Sequence, residues 1–125
     1  MDFKSTKGIY LQIVDNLGQQ ILEGHLQSGD RVASVRDLAV EFEVNHNTVM
    51  RAYATLQESG IFDNKRGIGF FVSEKALELI KATEKANFYS QDLPDFLLKV
   101  KLLQLNSTDL TELLSVIKNN DHENQ

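Results

Sequence analysis

Polar residues at positions 47, 48 and 51 have side chains whose chemistry suits the edges of nucleic acid bases. Asn47 can pair with an adenine edge, Thr48 with several base groups, and Arg51 with guanine or a phosphate. At about 100° per residue of a helix, Asn47 and Arg51 share one face with the small Ala54, which would let the backbone come close. This spacing favours a groove-reading helix, and an ordinary solvated surface helix is the alternative.

Two adjacent cations further along the chain could contact a phosphate backbone or a minor groove. Lys65 and Arg66 lie in the segment 63–67, which has the composition of a turn. The segment 68–72 is β-rich and is predicted to be the return strand of a hairpin, with the two cations at its tip. Two glycines would permit the tight path and close backbone approach: Gly67 and Gly69.

Two short amphipathic helices with a polar break between them are predicted to position the reading residues. Ser34 is a good cap for the first helix and Asn45 for the second, and Gly60 is expected to end the second. Apolar residues follow each cap at helical spacing, so the two stripes are expected to share a core. The stripes are Val35, Leu38, Ala39 and Phe42, then Val49, Ala52, Tyr53 and Leu56.

An additional helix precedes this pair and completes the predicted domain. It is expected to end near Gly24, and the segment 29–32 looks like a turn that leads into a short strand. The order helix, short strand, helix, helix, hairpin predicts a mainly α winged helix-turn-helix with a small β-hairpin wing over residues 1–73. The apolar stripe of the first helix is Tyr10, Ile13, Val14, Leu17 and Ile21.

With these elements in place, the sequence resembles the GntR family of bacterial transcription regulators, and within it the small YtrA-like branch. The resemblance covers roughly residues 9–73. The matching segments are Ile9-Tyr10-x-Gln12-Ile13, Ile21-x-x-Gly24-x-Leu26-x-x-Gly29-Asp30, Ser34-Val35-Arg36-Asp37-Leu38-Ala39, Val44-Asn45-x-Asn47-Thr48-Val49-x-Arg51-Ala52-Tyr53-x-x-Leu56 and Gly67-x-Gly69-x-Phe71-Val72.

The resemblance implies a dimer that binds a pseudo-palindromic operator, with the second helix of the motif in the major groove and the wing beside it. It assigns DNA contacts to Arg36, to residues 46–48 and to the wing glycine region. His46 stands where the family commonly has Arg or Pro, which suggests an operator preference of its own. The expected DNA-binding residues are Ser34, Arg36, His46, Asn47, Thr48, Arg51, Lys65, Arg66, Gly67 and Gly69.

The charge of the chain does not by itself indicate a nucleic-acid partner. The formal net charge is -5, and residues 1–73 carry 7 basic and 9 acidic side chains. All four arginines nevertheless precede residue 73. We therefore expect a local cationic stripe, with weak nonspecific affinity and a modest salt dependence.

Residues 74–125 are predicted to form a short, all-helical dimerisation region. Ser73, Asp92 and Thr108 are the expected caps of three helices, Pro94 fits the first turn of the second helix, and the last four residues look frayed. About 50 residues cannot bury so many large apolar side chains unaided, so we expect a two-fold homodimer; packing within the chain is the alternative. The expected interface residues are Leu93, Phe96, Leu97, Val100, Leu103, Leu110, Leu113, Leu114 and Ile117.

Other chemistry is weakly represented. The three histidines are isolated, the chain has no cysteine, and no phosphate loop or nucleophile elbow is present, so we expect no catalytic residues, metal or cofactor. The start lacks the apolar core of a signal peptide, and no apolar run is as long as a membrane span, which predicts a soluble cytoplasmic protein with no membrane partner.

Together these patterns predict a DNA-binding transcriptional regulator, a dimeric repressor that blocks polymerase by occupying an operator. The YtrA-like branch implies control of a transporter operon. A small-molecule effector could bind at the dimer interface or between the domains, and the sequence identifies none. The competing hypothesis is a winged helix that docks a protein partner through the face of Asn47 and Arg51 without binding DNA.

Overall fold

The computed structural model describes residues 8–123, in which helices and a single hairpin follow the predicted order. The chain divides into two units, Met1–Glu84 and Lys85–Gln125, which we describe separately. Residues 1–7, where the sequence predicts no signal-peptide core, lie outside the described residues. The last two residues of the predicted frayed end also lie outside them. The elements are α1 (Ile9–Leu22), α2 (Val35–Phe42), α3 (His46–Glu58), β1 (Phe62–Lys65), β2 (Gly69–Val72), α4 (Ala76–Asn87), a π-helical turn (Phe88–Asp92), α5 (Leu93–Leu102) and α6 (Thr111–Glu123).

The first unit is a winged helix-turn-helix, as the sequence predicts. Helices α1 and α2 both pack on α3, because the apolar stripes of the three helices face one another. The hairpin closes one end of this core through Phe62 and Val72. The buried helical residues are Ile13, Leu17, Ile21, Leu38, Ala39, Val49, Ala52, Tyr53 and Leu56.

The predicted helix ends are confirmed by their hydrogen bonds. Ser34 Oγ accepts from the amide of Asp37 at 3.0 Å, and Asn45 Oδ1 accepts from the amide of Asn47 at 2.7 Å. Gly60 adopts a φ of 83° after α3 and its amide donates to Gln57, which satisfies a carbonyl of the last turn. These caps fix where α2 and α3 begin and where α3 stops.

The hairpin forms as predicted, but its strands and its loop have different bounds. Strand β1 continues through Lys65, which pairs with Gly69, so the loop consists of residues 66–68. Lys65 is therefore not at the tip, and Ile68 belongs to the loop rather than to the return strand. The reason is cross-strand pairing, in which Asp63 and Asn64 face Phe71 and Phe70.

The predicted short strand before α2 lies along β2. Arg31 forms an antiparallel bridge with Phe71, the amide of Val32 donates to Phe70 O at 2.9 Å, and the amide of Gly29 donates to Val72 O at 2.8 Å. Backbone bonds thus tie the segment before α2 to the wing.

Helix α4 begins later than predicted, and Ser73 does not cap it. Ser73 is buried, and its hydroxyl donates to Gly60 O at 2.6 Å, so it holds the end of α3 against the end of the hairpin. Ala76 and Ile80 of α4 contribute to the core of the first unit. The functional boundary after residue 73 stays a prediction.

In the second unit, Asp92 does not cap the middle helix as predicted. Asp92 makes no side-chain cap bond, because the helical path passes from α4 through the π-helical turn into α5. Pro94 lies in the first turn of α5, as predicted, and has no amide proton for the carbonyl one turn earlier, which explains why the helix widens just before it.

The last helix also differs from its prediction. Asn106 and Asp109 exchange backbone-to-side-chain bonds of 3.0 Å, and this local turn replaces the cap predicted at Thr108. Helix α6 begins at Thr111 and runs through Glu123, so His122 and Glu123 of the predicted frayed end are helical.

Within the described residues 85–123, the second unit buries no side chain. Its apolar residues are half-buried at most: Leu97 is 55% exposed and Leu103 67% exposed. An exposed apolar surface of this extent is unusual for a single chain in water.

Tyr53 is the largest buried side chain of the first unit. Its burial leads us to expect that the folded protein loses stability at alkaline pH. Its hydroxyl donates to Ala33 O at 2.6 Å, and burial, assisted by the negative charge of Glu41, raises its pKa to about 12. In the unfolded chain the phenol titrates near pH 10. The folded state therefore retains a proton that the unfolded state has lost, and stability present below pH 10 decreases as the pH rises towards 12.

We expect Tyr53→Phe to remove this decrease in stability above pH 10. Tyr89→Phe changes an exposed tyrosine and should retain the decrease. Urea unfolding followed by circular dichroism at pH 8, 10 and 11.5 measures the difference. Equal slopes of unfolding free energy against pH for wild type and Tyr53→Phe would contradict the assignment.

Candidate nucleic-acid interface

Helix α3 presents its predicted polar face outside the core. The stripe Val49, Ala52, Tyr53 and Leu56 is buried on one side, and Asn47 and Arg51 are exposed one turn apart on the other. Thr48 is half-buried at the edge of this face. The donors and acceptors needed at a base edge are therefore on an accessible surface of a helix whose other side is fixed by packing.

His46 and Ala54 extend the same surface along α3. His46 is the first residue of the helix and is exposed, and Ala54 is exposed one turn after Met50. Met50 is half exposed and stands beside the polar face, where its thioether offers apolar contact rather than a charge.

Arg51 lies against the ring of Tyr10, a residue of the apolar stripe predicted for α1. Its guanidinium carbon lies 3.9 Å from the centroid of the Tyr10 ring, and Tyr10 is only half-buried. A guanidinium at this distance over an aromatic face makes a cation–π contact. The contact restricts the rotamers of a long side chain before any ligand binds.

An open cleft of about 410 Å³ lies beside this pair. It is lined by Gly8, Ile9, Tyr10, Asn47, Thr48 and Arg51. The first turn of α1 and the first two turns of α3 therefore bound a single concave surface that contains three of the predicted reading residues.

The first turn of α2 contributes two further predicted residues. Arg36 is exposed, and Ser34 precedes it at the cap position. The Ser34 oxygen is engaged by the amide of Asp37, so its hydroxyl proton is the group left for a phosphate oxygen.

The wing separates its cations instead of presenting them together. Arg66 and Gly67 lie in the three-residue loop and are exposed. Lys65 lies at the end of β1, with its Nζ 4.3 Å from the centroid of the Phe71 ring. Arg66 is thus the cation at the tip.

Position 69 favours glycine for two reasons: its backbone conformation and the closeness of the Arg31 side chain. Its φ of 147° is a conformation that side chains disfavour, and a Cβ there would lie 3.1 Å from Arg31 Nε. The side of Gly69 on which a Cβ would lie is therefore occupied by the Arg31 side chain from the segment before α2.

Two acidic residues flank α3 in the chain, Glu43 shortly before it and Glu58 as its last residue. Glu43 ends α2 in a left-handed conformation with a φ of 54°. Glu58 shares a face with Arg51, but at 1.5 Å per residue it lies about 10 Å further along the helix. Reading helices contact bases through their N-terminal residues, so Glu58 lies beyond that stretch.

Sequence reasoning missed two residues of this surface, Tyr10 and Arg31. Tyr10 fits the apolar spacing of α1, and only its position at the first, open turn of the helix hints at exposure. Arg31 precedes Val32 in the segment 29–32, which is predicted to lead into a short strand, and a cation beside the apolar Val32 could have indicated an outward-facing side chain there.

These elements define a class: a winged helix-turn-helix whose second motif helix exposes a polar, hydrogen-bonding face. The family profile described as "Bacterial regulatory proteins, gntR family" matches residues 9–72. The chain belongs to the GntR family, so it is a DNA-binding transcriptional regulator and not an enzyme.

Individual relatives agree with this assignment. The chain is 34% identical to the uncharacterized HTH-type transcriptional regulator YhcF of Bacillus subtilis over 88% of this chain and 89% of that protein. It is 40% identical to the HTH-type transcriptional repressor YtrA of Bacillus subtilis over 61% of this chain and 58% of that protein. A GntR family transcriptional regulator from Listeria monocytogenes superposes with a TM-score of 0.68 at 31% identity, covering 90% of this chain and 97% of that one.

Among residues 8–123, no group of three or more His, Asp or Glu side chains is arranged to hold a metal ion. In the same part of the chain, no helix has the length and apolar character to cross a membrane.

Proposed function

We propose that this regulator is a homodimeric repressor that binds a pseudo-palindromic operator through α3 and the wing. The observation that carries the proposal is the exposed pair Asn47 and Arg51 on a helix whose opposite face is buried. The reading domain is residues 1–73 and the dimerisation region residues 74–125.

The proposed major-groove contacts come from the first two turns of α3. An Asn amide can bond both groups of an adenine edge, and an Arg fork can bond both acceptors of guanine. His46 and Thr48 lie within the same turns, and the small Ala54 allows the helix to lie deep in the groove.

The proposed backbone contacts surround that helix. Arg36 and Ser34 at the start of α2 suit one phosphate, and Arg66 at the wing tip suits another or the adjacent minor groove. Gly67 and Gly69 let the loop backbone approach the DNA, and Lys65 adds charge behind the tip. This set is a cationic stripe of few residues, which fits the modest net charge of the domain.

The second unit supports a second copy of this chain as its partner. No side chain of residues 85–123 is buried in one protomer, yet the unit displays a band of large apolar residues. A two-fold interface would cover that band and pair two reading domains with two half-sites about 34 Å apart. The proposed interface residues are Leu93, Phe96, Leu97, Val100, Leu103, Leu110, Leu113, Leu114 and Ile117.

A repressor of this kind would act in the cytoplasm, on the upstream region of its own operon or of a transporter operon. An effector could bind at the dimer interface and change its geometry. Transcript levels in a deletion strain identify the regulated genes, and an increase after deletion marks repression.

Footprinting with the purified full chain on the region upstream of its gene tests the proposal. We expect two protected half-sites with inverted sequences, spaced by one helical turn, and a dimer in sedimentation at micromolar concentration. Protection of unrelated duplexes with equal affinity would contradict a sequence-specific regulator, and no protection even at low salt would favour the protein-docking hypothesis instead.

The Tyr10 contact predicts a smaller effect on affinity. Tyr10→Leu should weaken operator binding about two- to fivefold, because Arg51 loses the ring that restricts it. Tyr10→Phe keeps the ring and should bind as wild type does. Fluorescence anisotropy titrations measure both, and equal affinities for all three proteins would show that the ring does not prepare Arg51.

A further inference from the structure

We propose that Arg31 is a positioning residue for the wing: it holds the loop so that Arg66 is presented to DNA. This inference rests on the proposed function, because there the purpose of the wing is to contact the operator. Arg31 is itself outside every set of DNA-binding residues assigned above.

The backbone of Arg31 is fixed beside the hairpin. Arg31 bridges to Phe71, and the flanking bonds from Val32 to Phe70 and from Val72 N to Asp30 O, each 2.9 Å, continue the ladder. The segment therefore acts as a third strand along β2, and it connects α2 to the wing.

The side chain of Arg31 reaches from this strand to the loop. Its Nη2 donates to Ile68 O at 2.6 Å, a hydrogen bond strengthened by the charge of the guanidinium. The amide of Ile68 donates to Lys65 O at 2.8 Å. One backbone group of Ile68 is thus held by the hairpin itself and the other by Arg31.

The guanidinium also packs on the backbone of Gly69. A Cβ at Gly69 would lie 3.1 Å from Nε, 3.3 Å from Nη2 and 3.5 Å from Cζ of Arg31. The same side chain therefore contacts two consecutive residues of the wing, by a hydrogen bond at one and by close packing at the next.

The composition of the loop explains why such support matters. Gly67 and Gly69 flank Ile68, and both adopt positive φ values that a glycine can leave at little cost. Without Arg31 the loop would sample more conformations, and DNA binding would have to order it. Ordering about one residue corresponds to a loss of affinity of about 5- to 30-fold.

A direct phosphate contact by Arg31 is the competing role, and a double-mutant cycle separates the two. We expect Arg31→Ala and Arg66→Ala each to weaken binding of the full chain to its footprinted operator. If Arg31 acts through the wing, the double variant should bind within about twofold of Arg66→Ala alone. Additive losses, with a salt slope lower by about two units in the double variant, would show a separate phosphate contact and overturn the proposal.

Lys81→Ala is the matched control, because it removes one exposed cation of the first unit that belongs neither to the proposed DNA-binding residues nor to the proposed dimer-interface residues. It should leave operator affinity within about twofold. Arg31→Gln, which retains a shorter polar side chain, serves as a second variant if Arg31→Ala unfolds.

Amide dynamics test the inference without DNA, so its failure is distinguishable from failure of the proposed function. In the free full-length protein, the ¹⁵N heteronuclear NOEs of Ile68 and Gly69 should be lower in Arg31→Ala than in wild type, and unchanged in Lys81→Ala. Equal values in Arg31→Ala and wild type would overturn the proposal, whether or not the protein binds an operator.

Discussion

Replacing Leu97 by Glu is expected to convert the proposed dimer into a folded monomer that binds its operator about 10²–10⁴-fold more weakly. Leu97 is 55% exposed in the single chain, so the substitution creates no cavity within a protomer. In the proposed dimer each protomer would place one carboxylate in the apolar interface, so the two-fold axis would bring two charges into it. A monomer binds one half-site and loses the gain that a linked second site provides.

Sedimentation equilibrium at micromolar concentration and anisotropy titrations with the footprinted duplex measure the two effects. Lys101→Gln is the matched control, since it makes the same change of charge on the same helix at an exposed polar position. It should remain dimeric. A dimeric Leu97→Glu protein with wild-type affinity would remove α5 from the proposed interface.

Arg51→Ala should weaken specific binding about 5- to 150-fold, and Asn47→Ala should do the same. A good base-edge contact is worth about 1–3 kcal/mol, and both side chains are exposed near the start of α3. Because no core contact is lost, the thermal unfolding of both variants should stay close to that of the wild type. Binding to a scrambled duplex should decrease far less.

Two variants sharpen this experiment. Arg51→Lys keeps the charge without the fork, so it should recover little affinity if Arg51 reads guanine and most of it if Arg51 contacts a phosphate. Gln57→Ala alters an exposed residue near the end of the same helix and should bind normally. Retained specific affinity in both Asn47→Ala and Arg51→Ala would place the reading surface elsewhere.

Features with a local cause were predictable from the sequence. The stripes of α1, α2 and α3 follow helical spacing, and their caps at Ser34 and Asn45 use the nearest amides, so few residues determine them. Gly60 marks the end of α3 because its left-handed conformation is costly for other residues. The resemblance added the class of protein, which the family match confirms.

The errors occurred where distant or competing contacts decide the structure. Composition places a turn at residues 63–67, but pairing with Phe70 and Phe71 extends β1 through Lys65, so the loop is limited to residues 66–68. Ser73, a good cap in isolation, instead bonds across 13 residues to Gly60.

The sequence alone determined which helix faces are polar, where α2 and α3 begin and which family the protein belongs to, because these depend on residue types at short spacing. Only the tertiary structure decided that Arg51 stacks on Tyr10, that Arg31 reaches Ile68 and that Lys65 turns away from the tip. Such pairs lie up to 41 positions apart, and their geometry depends on how α1, the segment before α2 and the hairpin pack around one core. Residue types at short spacing do not specify that packing.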